Sequence, residues 1–518
     1  MPIRLAPPAL VLLVSAAPVL AAGGDPLSAI DWLSQSVTAP PTTPAAVPVA
    51  VPNEPPVSKG GALPAAVATT PLDAASPDAV GLIAPAVSGL PRNLWGAGRT
   101  EEIGRALTDD RMDSLPALRQ LFLTVLLAEA TPPADAGTTG RLLQLRIDKL
   151  LALGALEQAA ALIDIAGAET PELFRRAFDI ALLTGDENRA CETMQAAPGL
   201  APTFQARVFC LARAGEWDAA ALTLQTAAAL GQVSEAQADL LARFLDPALA
   251  EGQSMLPPPS PVTPLDWKIY EAVGETLPTA SLPVAFAYAE ISDTAGWKAQ
   301  IEAAERLTRA GTIAPNVLLG LYTQRDAAAS GGVWDRVDAF QEFDAALRSG
   351  DTDRIAQTLP PVWARMQEVE LEVPFAMLFG KQLAEVPLTG DAAAIAFRVG
   401  LLSPGYEAIA AAHKPADATE AFLAGLANGK IDGLTAPDSM ARAIAPAFLA
   451  PAPSEQTRAL IQGDRFGEAL LLAIEEVARG VEGNLQGVTQ GLSLLRMVRL
   501  EGVARRTALQ LMILERRG

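Results

Sequence analysis

Histidine is almost absent from this chain of 518 residues, which contains only His413. Serine- or cysteine-based catalysis would have to use this one imidazole, and a metal site built from several histidines is excluded. An alanine run precedes His413, and Lys414 and Pro415 follow it. This pattern is typical of a helix end, where a cation interacts favourably with the helix dipole. We therefore interpret His413 as a capping residue.

Sequence patterns that mark enzymes are missing as well. The chain has no Gly-rich phosphate loop, Gly-x-Ser-x-Gly turn, His-Glu-x-x-His pair or EF-hand loop. Carboxylates are plentiful, so residue type alone leaves a glycan-cleaving pair open. However, the Glu-Ser pair of lytic transglycosylases, some of which carry a helical solenoid, does not occur. We predict that the protein is not an enzyme and that it binds no cofactor or metal ion.

Positive charge is in short supply, with 39 basic residues against 59 acidic ones and a net charge of −20. Nucleic acid and anionic membranes are poor partners for such a surface, because both require clustered Lys and Arg. Aromatic residues make up only 5% of the chain, and β-branched runs with period-two alternation are almost absent. The apolar half of the composition is mostly Ala and Leu, which are strong helix formers. We predict an all-α fold.

Residues 1–22 have the pattern of a secretory signal peptide. Arg4 supplies the positive charge, residues 10–20 supply the apolar core, and Ala21 and Ala22 fit a small-residue cleavage site. No later segment has eighteen uninterrupted apolar residues, and no cysteine follows the cleavage site. We therefore predict a soluble exported protein, located in a bacterial periplasm, with no membrane span after signal cleavage.

A short apolar motif follows the signal within residues 23–36. Its apolar side chains have helical spacing. The next segment, 37–80, has ten prolines, eleven alanines and no aromatic residue, and we expect it to be a disordered, semi-extended tether. We interpret the motif as a docking peptide for another protein. Two alternatives are docking onto its own solenoid and a disordered terminus with an incidental Trp. The residues concerned are Leu27, Ile30, Trp32 and Leu33.

Proline and glycine divide the rest of the chain. Residues 81–97 are apolar but interrupted by both, which favours an extended lid across the first helices. Thr100 begins a helical pattern with acidic residues in its first turn. A Pro-rich break at 257–264 separates two helical parts, 98–256 and 265–518.

A glycine-containing turn recurs about every thirty residues between Ala/Leu-rich helical stretches, at Gly154, Gly185 and Gly215. This spacing predicts one helical hairpin per repeat, which buries its apolar face by stacking on its neighbours. Similar turns recur at Gly350, Gly390 and Gly463.

The stretch Gly215-Glu-Trp-Asp-Ala-Ala220 resembles the centre of a tetratricopeptide (TPR) repeat. The resemblance covers residues 140–245 and, more weakly, 340–480. It implies antiparallel helix pairs stacked into a superhelical solenoid with a concave binding groove. The early Trp and terminal Pro of the TPR consensus are mostly missing, so groove residues are not transferred from the family.

The two cysteines, Cys191 and Cys210, lie in helical stretches predicted at 186–197 and 203–213. If these form an antiparallel pair turning near Pro198, the thiols lie at nearly the same height. In an oxidising compartment this arrangement favours a structural disulfide, with two buried free thiols as the alternative.

One further stretch, 314–336, combines a helical start, a polar turn and a Gly pair before Trp334. Tyr322, Arg325 and Trp334 are residue types common at binding surfaces, so this stretch is a candidate recognition surface. The alternative is a long turn between helices with Trp334 in the core.

These observations predict an exported interaction scaffold that binds protein or peptide partners of the cell envelope. It would use a helical-repeat surface and a tethered N-terminal motif, the tether raising the local concentration of the two components. The alternative is a cell-wall glycan-binding or glycan-processing factor. The residues do not select one pathway, such as assembly of a motility or secretion machine.

Overall fold

The computed structural model describes residues 76–109, 115–167, 170–292 and 294–514. The motif at 25–34 and most of the predicted tether lie outside this part of the chain. The described residues form helices and turns, and their only β-type pairing is an isolated bridge between Ile83 and Ala128. The predicted all-α class is confirmed.

Twenty-five α-helices occur in the described residues, numbered here in chain order. They are α1 (Pro85–Ser88), α2 (Thr100–Asp109), α3 (Pro116–Leu127), α4 (Arg141–Leu153), α5 (Leu156–Ala166), α6 (Pro171–Thr184), α7 (Glu187–Ala196), α8 (Phe204–Arg213), α9 (Trp217–Ala229), α10 (Glu235–Leu245), α11 (Pro264–Ala272), α12 (Ala287–Glu290), α13 (Trp297–Ala310), α14 (Pro315–Tyr322), α15 (Val333–Ser349), α16 (Thr352–Glu368), α17 (Glu372–Leu383), α18 (Gly390–Leu402), α19 (Tyr406–Ala412), α20 (Ala418–Asn428), α21 (Ser439–Leu449), α22 (Glu455–Gln462), α23 (Phe466–Val481), α24 (Leu485–Met497) and α25 (Glu501–Ile513).

Helices that follow one another in the chain pack against one another, as stacked hairpins require. The series α6, α7, α8, α9 and α10 is continuous in this way, and so is the series α15 to α20. Neighbouring helices cover one another's apolar faces, so most of the buried residues merge into one core that runs from Ile83 to Leu514. Two small clusters, around Ala303 and Ala473, lie beside it.

The repeated glycine turn ends helices as predicted at the three clearest positions. Gly154 and Gly185 directly follow α4 and α6 with φ of 75° and 86°, and Gly215 follows α8 with φ of 80°. This left-handed backbone conformation favours glycine because it has no Cβ. Of the later turns, Gly350 ends α15 in the same way, with φ of 70°. The other two differ in detail: Gly390 is the first residue of α18, and at 463–464 the left-handed residue is Asp464, with φ of 55°.

The Pro-rich break at 257–264 separates the two helical parts along the chain but not in space. Directly after the break, α11 packs against α10 and returns to α6. Glu187 at the start of α7 is buried and forms ion pairs with Arg213 at 3.3 Å and Lys268 of α11 at 3.7 Å. The parts before and after the break therefore share one core.

The two ends of the described helical array also meet. Helices α2 and α3 pack against α23, and α3 packs against α25. In this contact the Ala117 N–H donates a hydrogen bond of 2.8 Å to the side-chain oxygen of Gln510, which is buried. Stacking of consecutive helices would not by itself bring the first and last helices together. Their contact closes the array.

Candidate partner-binding surfaces

Helix α9 exposes several large apolar side chains to solvent, beside the polar Asp218, Gln225 and Thr226. Trp217 is 52% exposed and Leu222 is 65% exposed, and Leu230 just after the helix is 64% exposed. Leu222 and Ala229 are seven residues apart and therefore lie on one side of the helix. No charged residue occurs between 219 and 234, although 19% of the chain is charged. A helix with this composition is expected to be covered, and α9 buries only Ala220, Leu224 and Ala227.

The helices on both sides hold α9 in place. It packs on α8 and α10, whose rings Phe209 and Phe244 stack with centroids 5.6 Å apart. The structure contains the predicted disulfide between Cys191 of α7 and Cys210 of α8, with a Cα–Cα distance of 5.1 Å. The hairpin under α9 is thus covalently closed.

A chain of buried polar groups links the same helices to α11. The Gln205 amide donates to Asp266 at 2.8 Å, and both side chains are buried. The Asp266 carboxylate in turn accepts hydrogen bonds from the Thr263 hydroxyl at 2.6 Å and from the Thr263 backbone N–H at 3.2 Å. These bonds cap the N-terminus of α11. Because each of these buried polar groups has a hydrogen-bond partner, the helices on which α9 packs are held rigidly together.

A second candidate surface lies where the N-terminal segment 90–98 meets α23; we call this contact the seam. Leu94 and Trp95 are buried there, the Leu94 carbonyl accepts from Gly467 N–H at 2.7 Å, and the Asp464 carbonyl accepts from Ala97 N–H at 2.9 Å. Arg465 bridges Glu102 and Glu468, its Nε donating to Glu468 at 2.6 Å. The predicted lid therefore lies against the last helices as well as the first.

An open cavity of about 530 Å³ adjoins the seam, and we call it the seam cavity. Its walls include Leu90, Ile461, Phe466 and Val498, and the last three side chains are only half-buried. Asn93 and Asp464 supply polar groups at the same place, joined by a 3.3 Å hydrogen bond. The cavity is a wide, open depression whose walls mix apolar side chains with these polar groups.

The structure separates the three residues predicted from the 314–336 stretch. Tyr322 is fully buried, with its hydroxyl donating to Glu305 at 2.6 Å, which corrects the surface role suggested for it. Trp334 is half-buried and packs against Trp297 in a tilted arrangement, with ring centroids 5.0 Å apart and an interplanar angle of 44°. Arg325 is the exposed member of the set.

The reason for this burial is an ion pair that sequence reasoning missed. Arg336 donates two hydrogen bonds, of 2.9 and 2.7 Å, to the Glu305 carboxylate, which is also bonded to Tyr322. Burial and the nearby Glu305 carboxylate raise the pKa of Tyr322 well above its usual value. These hydrogen bonds join α13, α14 and α15, so the cluster stabilises the packing of the three helices. Glu305 and Arg336 are 31 residues apart, so no local pattern marks the pair.

His413 lies at the C-terminal end of α19, as predicted. Its ring stacks on Phe397 at 3.6 Å between centroids, and Nε2 lies 2.8 Å from the Glu420 carboxylate. These contacts hold the imidazole at the end of the helix.

The four residues of the N-terminal motif, Leu27, Ile30, Trp32 and Leu33, lie outside the described residues, and the docking interpretation stays a prediction. Within the described ranges, no group of three or more His, Cys, Asp or Glu side chains is arranged to hold a metal ion. No helix in the same part of the chain is both long enough and apolar enough to cross a bilayer.

Comparison of the chain with protein-family models, with curated proteins and with solved structures gives no match.

Proposed function

We propose that this protein is an exported interaction scaffold whose α9 face binds a protein partner. The observation that carries the proposal is the exposure of large apolar side chains along α9, where Trp217, Leu222 and Leu230 are each more than half exposed. The stretch 219–234 is uncharged, and Asp218 at the start of the helix is the one charged residue on the side of Leu222. Large exposed apolar groups grouped on one element are typical of protein-binding surfaces, and Trp is enriched among residues that dominate binding energy.

The chemistry of α9 indicates the kind of partner. The stretch 219–234 carries no charge and therefore offers no ion pairs, and its exposed Leu222 and Leu230 favour an apolar helix or peptide segment as the partner. The small side chains Ala221, Ala228 and Ala229 permit a close approach of a second helix. The surrounding charge of −20 disfavours acidic partners at the edges of this face.

Two features support the export part of the proposal. They are the signal pattern of 1–22 and the disulfide, which persists in oxidising compartments. In this proposal the scaffold works in the periplasm, its TPR-like helices bind one component, and the motif binds a second one.

The test is a crosslinking pull-down from the native periplasm with the mature chain and the double variant Trp217→Ala, Leu222→Ser. We expect the variant to lose a partner that the unmodified chain retains, with both chains equally stable to heat because these side chains are exposed. Met377→Ser is the matched control, since Met377 is 52% exposed on α17, another helix. An identical partner set for all three chains would refute the role of α9, and retention on peptidoglycan alone would favour the glycan-binding alternative.

A further inference from the structure

Exposed apolar side chains are concentrated in residues 216–255, which we call the 216–255 surface. In the described part of the chain eleven large apolar side chains are exposed, and five of them lie in this segment. The segment makes up less than a tenth of the described residues. Grouped apolar exposure of this kind is typical of a binding surface. The five residues are Trp217, Leu222, Leu230, Leu249 and Met255.

The elements that carry these side chains pack on one another. Helix α9 packs on α10, and the short 3₁₀ helix Pro247–Ala250, which contains Leu249, packs on α10 as well. Met255 follows Ser254, whose carbonyl accepts a hydrogen bond of 2.9 Å from Arg243 of α10. The apolar side chains therefore belong to one packed unit of the structure.

The same surface is negatively charged. It contains six acidic residues, all of them exposed, and a single basic residue, Arg243. The Arg243 side chain is only 12% exposed and forms an ion pair of 3.0 Å with Glu275, which neutralises its charge. None of the six carboxylates forms an ion pair with another described residue. The six are Glu216, Asp218, Glu235, Asp239, Asp246 and Glu251.

The neighbouring helix α8 adds two basic residues, and both have partners. Arg213 forms an ion pair of 3.3 Å with Glu187, and Arg207 donates a hydrogen bond of 3.0 Å to the Pro198 carbonyl. Residues 207–255 as a whole contain six acidic and three basic residues. The field at this surface is therefore negative, and it attracts cations.

The carboxylates lie beside the apolar side chains. Asp218 is four residues before Leu222 and so lies on the same side of α9. Glu235 and Asp239 are also four residues apart, on one side of α10, next to α9. A helix laid on α9 is about 10–12 Å across, and packed helices lie about 8–10 Å apart, so its flanks come close to the carboxylates of α10.

Charge disfavours the two occupants that the protein itself could supply. Residues 23–75, which lie outside the described ranges, contain four acidic residues and one Lys. In a twofold dimer through this surface, the same carboxylates of the two copies would approach one another, and like charges repel. The complementary occupant is a segment of another protein that combines apolar side chains with positive charge.

We propose that the 216–255 surface binds a basic amphipathic helix of a partner protein. The partner's large apolar side chains contact Leu222 and Leu230, and Lys or Arg residues along its flanks lie near Asp218 and Asp239. This inference rests on the proposed function, since it assigns the chemical class of the partner that α9 binds. It adds that the partner is recognised by its positive charge as well as by its apolar face.

Titration of the mature chain with two model peptides tests the charge preference. Both peptides are fluorescein-labelled, are about 18 residues long so that a helix can form, and share one Leu-rich face. The opposite face carries Lys in one peptide and Glu in the other. We expect the Lys peptide to bind at least about tenfold more tightly than the Glu peptide, and its affinity to fall as salt is raised from about 0.05 M to about 0.5 M.

Variants are needed to locate the site, because any acidic protein attracts a Lys-rich peptide. Leu222→Ser should weaken binding of the Lys peptide about tenfold, since a large apolar contact is lost. Met377→Ser is its control, because Met377 is exposed on another helix, and this exchange should leave the affinity unchanged.

A second pair of variants tests the carboxylates. Asp218→Asn combined with Asp239→Asn should weaken binding of the Lys peptide about fivefold and flatten its salt dependence. The control combines Asp391→Asn with Asp338→Asn, which removes the same charge elsewhere. Asp391 is exposed in the first turn of α18, as Asp218 is in α9, and Asp338 is exposed on α15. The control should change the affinity less than twofold, and a thermal melt confirms that each chain is folded.

Three results would overturn the inference. They are equal affinity for the two peptides, equal weakening by the two charge variants, and self-association in analytical ultracentrifugation that Leu222→Ser abolishes, which would assign the surface to a second copy. The pull-down separates this inference from the proposed function. A partner that is lost with Trp217→Ala, Leu222→Ser but retained with Asp218→Asn, Asp239→Asn leaves the α9 proposal standing and refutes only the charge assigned to the partner. An unchanged partner set for both variants refutes the proposed function itself.

Discussion

Replacement of Gly467 by alanine should destabilise the closed helical array through the seam. A Cβ at this position would lie 2.6 Å from Cε3 and 2.7 Å from Cζ3 of the Trp95 ring, and 3.0 Å from the Leu94 carbonyl oxygen. Carbon atoms in favourable contact are about 3.5–4.0 Å apart, so the ring would have to move by about 1 Å. Trp95 is only 2% exposed and has little room for such a shift.

The expected magnitude combines two opposing effects. Overpacking of a buried site costs about 1–3 kcal/mol, and exchanging Gly for Ala within a helix returns about 1 kcal/mol. We therefore expect a net loss of up to about 2 kcal/mol in the free energy of unfolding, measured by urea denaturation monitored by circular dichroism. Gly320→Ala is the matched control: Gly320 is an exposed residue of α14, its Cβ would have no atom within 4 Å, and the exchange should stabilise by up to about 1 kcal/mol.

A double-mutant cycle isolates the clash itself. In a Trp95→Leu background the smaller side chain leaves space for the new methyl group, so Gly467→Ala should cost at least about 1 kcal/mol less than in the unmodified chain. Equal costs in the two backgrounds, or a variant as stable as the Gly320→Ala control, would show that the segment 90–98 does not pack on α23 as described.

Three further predictions concern positions elsewhere. Burial raises the pKa of Asp179 to about 6, above its usual 3.8, so its charge destabilises the fold above pH 6 and this effect is relieved as the pH falls towards 4. Asp179→Asn should therefore stabilise by about 1–2 kcal/mol at pH 7.5 and by much less at pH 4, measured as unfolding free energies. Replacing both Cys191 and Cys210 with Ser should cost about 3 kcal/mol, since the disulfide closes a loop of 19 residues, and it should abolish the effect of a reductant on the melting temperature. Arg146 is fully buried and donates hydrogen bonds of 2.7–3.1 Å to the carbonyl oxygens of residues 80, 126 and 128. Arg146→Met should therefore lower the free energy of unfolding by about 2–4 kcal/mol in a thermal melt. The control Arg141→Met, on the same helix, should lower it by less than about 0.5 kcal/mol.

A specific result would contradict each of these three expectations. A gain from Asp179→Asn that is the same at both pH values would show that the carboxyl is not strained by burial. A melting temperature of the unmodified protein that does not respond to reductant would exclude a stabilising disulfide. Similar losses of unfolding free energy for the two arginine variants would mean that the three hydrogen bonds from Arg146 to backbone carbonyls do not stabilise the fold.

The sequence predicted those features that depend on local physics. The Ala/Leu-rich composition and the absence of β-branched alternation indicated an all-α fold because helix propensity acts residue by residue. The turns after α4 and α6 were predictable because Gly154 and Gly185 adopt a conformation that other residues avoid. The disulfide was predictable because a short hairpin fixes the relative height of Cys191 and Cys210.

Tertiary structure decided the features that join distant parts of the chain. The seam brings Trp95 against Gly467, and the ion pair of Glu305 with Arg336 buries Tyr322, although nothing near these residues in the sequence indicates their partners. Exposure of α9 is also a tertiary property, since its composition alone predicts a covered helix and only its neighbours determine which face stays open. Local patterns specify a helix and its ends, whereas the burial of a side chain depends on which remote surface is brought against it.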